Sequence, residues 1–274
     1  MIQDILPQVF NNNFSASVPT DDDFILIFAG NEMYFVKEQG SLKFPRYSEV
    51  KNNINEVIYL FSIDHHGFFL SMDYSEDIES KLIAENTSIF REYKPSFMAF
   101  AGITGSQIYR WYSNNKFCGK CGKPTIHSHR ERALLCDDCN YVIYPKISPA
   151  VIVAVYDGNK LLLSKNAHGE YKRYALIAGY VEIGETLEET VQREVMEEVG
   201  LKVKNIKYYK NQPWSFSDTL LVGYIAELDG SNEITLDTNE LAEAIWIERE
   251  DIPEDDIHIS LTRELMEAFR NHAF

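Results

Sequence analysis

The chain has 274 residues, 45 % of them hydrophobic and 25 % charged. At about 150 residues per domain this predicts two domains with a sizeable core, and it excludes a disordered tract or a disulfide-stapled miniprotein. The net charge of −16, from 26 basic and 42 acidic residues, is unevenly spread: −7 over residues 1–112, +3 over 113–148 and −12 over 149–274. An acidic surface repels a long polyanion, so a general nucleic-acid coat protein is excluded, whereas a small anionic ligand held through a divalent metal is not. No apolar run reaches the roughly 18 residues of a membrane span. No basic residue precedes Lys37, and the terminal Asn271-His272-Ala273-Phe274 matches no lipidation or retention signal. The expectation is a soluble cytoplasmic protein with no membrane partner.

In chain order, residues 24–29 and 33–36 around Gly30-Asn31 predict a hairpin, and residues 57–63 and 68–70 around His65-His66-Gly67 predict another. Ile78, Leu82, Ile83, Ile89 and Phe90 have helical spacing and predict a helix over 75–93. A second helix is expected over 97–112, interrupted or bent near Gly102 and Gly105. His65 and His66 read as solvated turn residues. Residues 1–112 carry no catalytic constellation and are expected to form a mixed, β-rich domain that serves as scaffold or dimerisation surface. Residues 113–145, with all four cysteines, form a second segment, and 146–274 a third. In that third segment a strand pair is expected over 150–156 and 160–164 around Asp157-Gly158-Asn159. A glycine-rich turn, one helix, more strands and a C-terminal helix over 260–270 follow. Residues 229–232 and 248–256 read as acidic surface loops.

Cys118, Cys121, Cys136 and Cys139 make C-x2-C-x14-C-x2-C. Two short knuckles joined by a hairpin supply the four thiolates of a tetrahedral zinc site, and Gly119 and Gly122 suit the tight turns. Two disulfides are disfavoured in a cytoplasmic chain, and a redox pair has no use for the second knuckle. Four cysteines close the site without His127 or His129, so one structural Zn²⁺ is expected. Four thiolates and one zinc sum to −2, which lowers the basic segment to about +1 and weakens a nucleic-acid reading of it.

The strongest signal is GYVEIGETLEETVQREVMEEVGL, from Gly179 to Leu201. Thr186 and Glu189 form a capping box that opens a helix, and Gly200 closes it. Leu187, Val191, Val195 and Val199 make an apolar stripe for docking. Glu194, Glu197 and Glu198 share an arc of about 100° beside that stripe. Carboxylates so close repel one another unless a divalent cation sits among them, and oxygen-only ligands favour Mg²⁺ or Mn²⁺ over zinc. The segment fits G-x5-E-x7-R-E-U-x-E-E-x-G-U, with U a bulky aliphatic, through Gly179, Glu185, Arg193, Glu194, Val195, Glu197, Glu198, Gly200 and Leu201. A chance match in this length is on the order of 10⁻⁷.

With this box complete, the chain resembles the Nudix hydrolases. The resemblance implies an α+β fold class, a Nudix α/β/α sandwich preceded here by the zinc ribbon and the N-terminal domain. It also implies hydrolysis of a nucleoside diphosphate linked to another group. Glu194 and Glu198 would bind metal, Glu197 would complete the cluster or help activate water, and Arg193 and Glu185 would orient loop and helix through an ion pair. Which glutamate accepts the proton stays open.

Beyond the box, Asn211-Gln-Pro-Trp-Ser-Phe-Ser-Asp-Thr219 reads as a loop whose aromatic residues could stack a base, a contact worth roughly 1–3 kcal/mol. Together with the zinc ribbon it resembles the NADH pyrophosphatase subfamily, which shows S-Q-P-W-P-F-P-x-S there. Gln212, Pro213, Trp214 and Phe216 match, while Asn211, Ser215, Ser217 and Thr219 depart. The resemblance implies substrate contacts across Gln212, Pro213, Trp214, Ser215, Phe216, Ser217, Asp218 and Thr219, and at Glu131, Tyr144 and Thr262. It further implies metal ligation by the Ala178 carbonyl and Glu240, with Glu243 a rival for the latter. Two or three Mg²⁺ or Mn²⁺ ions, a homodimer, and NADH, NAD⁺ or an NAD-capped RNA 5′ end as substrate are the remaining implications. The alternatives are a Nudix pyrophosphatase for ADP-ribose, other dinucleotides or nucleoside triphosphates, a non-catalytic nucleotide sensor, and a zinc-ribbon nucleic-acid module. The intact Arg-Glu and Glu-Glu pairs speak against the sensor, and the net charge speaks against the module.

Overall fold

The computed structural model describes residues 1–168, 173–254 and 259–274. They divide into two compact units, one of residues 2–146 with 215–217, the other of Met1 with 147–214 and 218–274.

In the first unit the hairpin signals act as read. β1 (Phe10–Asn11), β2 (Phe24–Ala29), β3 (Glu32–Glu38), β4 (Ser41–Lys43), β5 (Val57–Ile63), β6 (His66–Ser71) and β7 (Ile83–Asn86) form one sheet. Its order is β1-β5-β6-β2-β3-β4, with β7 added to β3 and β2 parallel to β6. Gly30 turns β2 into β3 with φ 58°, and Asp64, also left-handed at φ 53°, turns β5 into β6. A short helix α1 (Tyr47–Val50) lies between β4 and β5. The helix expected over 75–93 does not form. Only α2 (Asp77–Lys81) is helical; Ile83–Asn86 then pairs with Phe35–Glu32, and Asn86 caps a 3₁₀ turn at Thr87–Arg91. Strand pairing to β3 overrides the local period, because it buries the same apolar residues and satisfies the backbone as well.

Helix α3 (Ser96–Asn114) runs unbroken through Gly102 and Gly105. A Cβ at Gly102 would overlap the Phe90 ring, and one at Gly105 would overlap Leu26. These glycines therefore serve close packing rather than a bend. The ribbon strands β8 (Ile126–His127), β9 (Leu134–Cys136) and β10 (Tyr141–Ile143) form a separate antiparallel sheet.

In the second unit β11 (Ser148–Asp157), β12 (Lys160–Asn166), β13 (Ile177–Tyr180), β14 (Val203–Trp214), β15 (Thr219–Leu228) and β16 (Leu241–Glu248) form a mixed sheet of order β14-β15-β11-β12-β16. β11 lies parallel to β15, and one of its edges is shared: β13 pairs with Ala150–Val153, β12 with Tyr156 and Asp157. Strand alternation sorts the two faces. Val151, Val153 and Val155 pack with Val191, Val195 and Val199 of α4 (Leu187–Val199). Ile152 and Ala154 pack with Leu261, Leu265 and Phe269 of α5 (Leu261–Arg270). Helix, sheet and helix thus form the α/β/α sandwich. Residues 229–232 are exposed loop as expected. The loop expected over 248–256 is shorter: Glu248 ends β16, Arg249–Asp251 is a 3₁₀ turn with Arg249 buried, and 255 and 256 lie outside the described residues.

Candidate active site

Helix α4 brings the acidic residues together. Thr186 accepts from the Glu189 amide, Glu189 accepts from the Thr186 amide, and Gly200 ends the helix in the left-handed region at φ 69°. The last carbonyls then find partners downstream: Val199 accepts from the Thr235 amide at 2.9 Å and Glu198 from the Asp237 amide at 3.0 Å. This seam carries the chain through a turn in which the Glu240 and Leu241 amides reach the Asp237 carbonyl. It brings Glu240 within electrostatic reach of Glu194 and Glu198. Glu243 is engaged elsewhere, with Lys165 at 2.6 Å and the Tyr174 hydroxyl at 3.2 Å.

Glu194 and Glu198 are 8 % and 5 % exposed. Burial raises both carboxyl pKa values, with Glu240 adding to each; Glu198 is pushed up to about 8. Such a cluster holds a proton or a divalent cation, and an oxygen-only donor set suits Mg²⁺ or Mn²⁺. The backbone at 178–179 borders it: Ala178 hydrogen-bonds to the Glu198 carboxylate, and a Cβ at Gly179 would fall inside the Glu194 carboxyl group. One arginine organises the rest. Arg193 grips Glu185 with two nitrogens at 2.6 and 2.9 Å, and donates to Glu194 at 2.7 Å, Glu197 at 2.9 Å and the Tyr180 carbonyl at 3.0 Å. The Arg193 pair holds the Glu185 carboxyl down to about 2. Glu197 and Glu240 are the exposed members of the cluster.

The four cysteine ligand atoms lie within 4.8 Å of one another, with Sγ pairs 118–139 at 3.6 Å and 121–136 at 3.4 Å. Tetrahedral zinc with Zn–S of about 2.3 Å sets its sulfurs about 3.8 Å apart, so the site fits the ion. The knuckles match: each second cysteine is followed by a left-handed residue, Gly122 at φ 73° and Asn140 at φ 53°. Gly119 is not among the left-handed glycines. His127 stands outside the thiolate cluster, stacked on Tyr112 at 4.8 Å and 10°.

The segment expected as a loop is mostly strand. Residues 211–214 end β14, and the turn is only 215–218, with Asp218 left-handed at φ 57° and Trp214 paired to Thr219. Gln212 is fully buried, Pro213 exposed, and Trp214 half-buried. Thr219 is buried, its hydroxyl 3.5 Å from that of Tyr180. Asp218 accepts from the Ser148 amide at 2.9 Å, and Thr262 is the half-buried second residue of α5. Within the first unit, Tyr144 donates to Glu131 at 3.1 Å. There too Arg110 donates to the carbonyl of buried Ser215, Arg91 lies 4.3 Å over the Phe216 ring, and Ser217 is exposed. The sequence reading missed both arginines, since nothing local ties residues 91 and 110 to a turn more than 100 positions away.

Residues 146–269 match the NUDIX domain profile, and residues 113–144 that of the NADH pyrophosphatase zinc ribbon domain. Proteins from Citrobacter koseri and Salmonella heidelberg, both named NAD-capped RNA hydrolase NudC, are each 44 % identical over 149 residues. That match covers 54 % of this chain and 58 % of either relative, so it spans little more than half their length. A NUDIX hydrolase crystal structure from Nitrosomonas europaea overlays with a TM-score of 0.49 at 26 % identity, over 57 % of this chain and 93 % of that one. The chain therefore carries a Nudix domain at residues 146–269, preceded by an NADH pyrophosphatase zinc ribbon domain at residues 113–144.

Proposed function

We propose that this protein is a metal-dependent pyrophosphatase that splits NAD(H) into AMP and nicotinamide mononucleotide, and that it also removes the NAD cap from RNA 5′ ends. The observation that carries the chemistry is the buried pair Glu194 and Glu198, destabilised as anions and faced by Glu240. The substrate class is supported by the ribbon domain and by the names of the relatives. Two or three Mg²⁺ or Mn²⁺ ions, when bound, would supply counter-charge for the diphosphate and acidify the attacking water. Glu194, Glu198, Glu240 and the Ala178 carbonyl are the ligands in this reading. Arg193 holds Glu194 and Glu197 in place. As the water oxygen bonds to phosphorus and the P–O–P bridge breaks, Glu197 or Glu198 takes the proton. In this reading Glu131, Tyr144, residues 213–219 and Thr262 are substrate contacts, and Gln212, expected among them, is buried. Residues 1–112 serve as scaffold or dimerisation surface for a homodimer.

Product analysis tests this with Mg²⁺ or Mn²⁺ on NADH, NAD⁺, ADP-ribose and a short NAD-capped RNA. AMP and nicotinamide mononucleotide are expected from NADH, with Glu198→Gln slower by at least ~100-fold. Turnover of ADP-ribose alone would keep the chemistry and refute the NAD(H) assignment. Absence of any turnover by metallated protein would favour a nucleotide sensor.

A further inference from the structure

Strand β14 does not alternate. Its less exposed positions include Val203, Ile206, Tyr209 and Gln212, and its register to β15 shifts between Lys204 and Lys207 and again between Tyr208 and Lys210; Val203 and Ile206 pack on the α4 side, Tyr209 and Gln212 on the α5 side. On the α5 side Gln212, paired with Leu221, has no solvent exposure. The Gln212 amide nitrogen donates to the Ile259 carbonyl at 2.8 Å, and its amide oxygen accepts from the Leu261 amide at 2.7 Å. Both ends of one side chain are thus spent on the backbone at the start of α5. Two neighbouring contacts seat the same turn. Lys210 pairs with Glu264, and Gly223 leaves room for Leu261, whose Cδ2 would lie 2.9 Å from a Cβ there.

We propose that Gln212 is a positioning residue. It fixes the first turn of α5, and with it Thr262, against the strand that leads into Trp214, and it does so without touching the substrate. The inference rests on the reading above, in which Trp214 and Thr262 are substrate contacts. The chemistry of the amide makes the assignment specific. One donor and one acceptor on a single planar group are needed, and a buried carbonyl or amide left without its partner is costly. A protonated glutamic acid offers the same pair of functions in the same shape, whereas an ionised glutamate offers only acceptors.

The test compares wild type, Gln212→Met and Gln212→Glu by amide hydrogen exchange and by NADH kinetics, with thermal melting to verify folding. In Gln212→Met, exchange at Leu261 accelerates at least tenfold. KM for NADH rises about tenfold while kcat changes less than threefold, since the carboxylate cluster is untouched. For Gln212→Glu, the KM ratio to wild type at each pH returns toward one as the pH falls and the carboxyl regains its proton. The ratio for Gln212→Met stays flat. A raised KM with unchanged Leu261 exchange would make Gln212 a direct substrate contact and overturn the proposal. Accelerated exchange with unchanged KM would also overturn it, leaving the clamp purely structural. Loss of NADH turnover in wild type is a separate failure. It removes the substrate reading and this proposal's link to substrate together, while Leu261 exchange still reports whether the clamp exists.

Discussion

Gly179 shows how narrowly one residue can set this site. Its missing side chain leaves the space occupied by the Glu194 carboxyl group, and the neighbouring Ala178 backbone holds Glu198. Gly179→Ala would push Glu194 out of the cluster while leaving the β13 pairing to β11 intact. The expected outcome is weaker Mn²⁺ binding and at least ~10-fold lower turnover, with little change in melting temperature. Calorimetric titration of Mn²⁺ checks this; wild-type affinity in the variant would refute it. The glycine was legible in the sequence as the first residue of the motif, and it lies in strand β13. Its partner was not, because the side chain that fills the space lies 15 positions away in another element.

Among elements, α4 was the most legible. The capping box, the apolar stripe and the closing glycine are short-range signals that agree with one another, and the helix spans Leu187–Val199 as those signals require. The turn before it is tied to the helix by Glu185, whose carboxyl is held down to about 2 by Arg193, Thr190 and the Glu182 amide. A carboxyl whose folded pKa lies below its unfolded value adds stability above the unfolded pKa, and loses that contribution as pH falls from about 4.5 toward 2. Melting temperature should therefore fall less steeply across this window in Glu185→Gln than in wild type. Equal slopes would mean the pair contributes nothing. The helix expected over 75–93 failed for the opposite reason. Its local period was sound, but β3 offered Ile83–Asn86 a ladder, and a pairing across 50 residues leaves no mark in a local pattern.

For the molecule as a whole, the zinc ribbon is the segment with the least core of its own. Its three strands have two or three residues each, so the metal is expected to hold it together. Elemental analysis should find one zinc per chain. Thiol titration should find the four cysteines unreactive until a strong chelator is added, with the ribbon amides then losing exchange protection. Four free, reactive thiols in the native protein would refute this. The acidic total of −16 sets a further limit, since a strongly acidic chain repels a long polyanion.

The candidate chemistry was legible in the sequence alone wherever the groups concerned sit within one element. Glu194, Glu197, Glu198 and Arg193 share a single helix, and each pair of cysteines shares one knuckle, so spacing suffices. Tertiary structure decided whatever depends on two distant segments meeting. It set Glu240 near Glu194 and Glu198, because the seam from Thr235 to Asp237 ends at the α4 C-terminus, and it paired Glu243 with Lys165. It buried Gln212 in a segment that reads as a loop, because the start of α5 offers both ends of the amide a backbone partner. Local spacing is written in the order of residues. Register and packing are settled only when separate elements compete for the same hydrogen bonds and the same space.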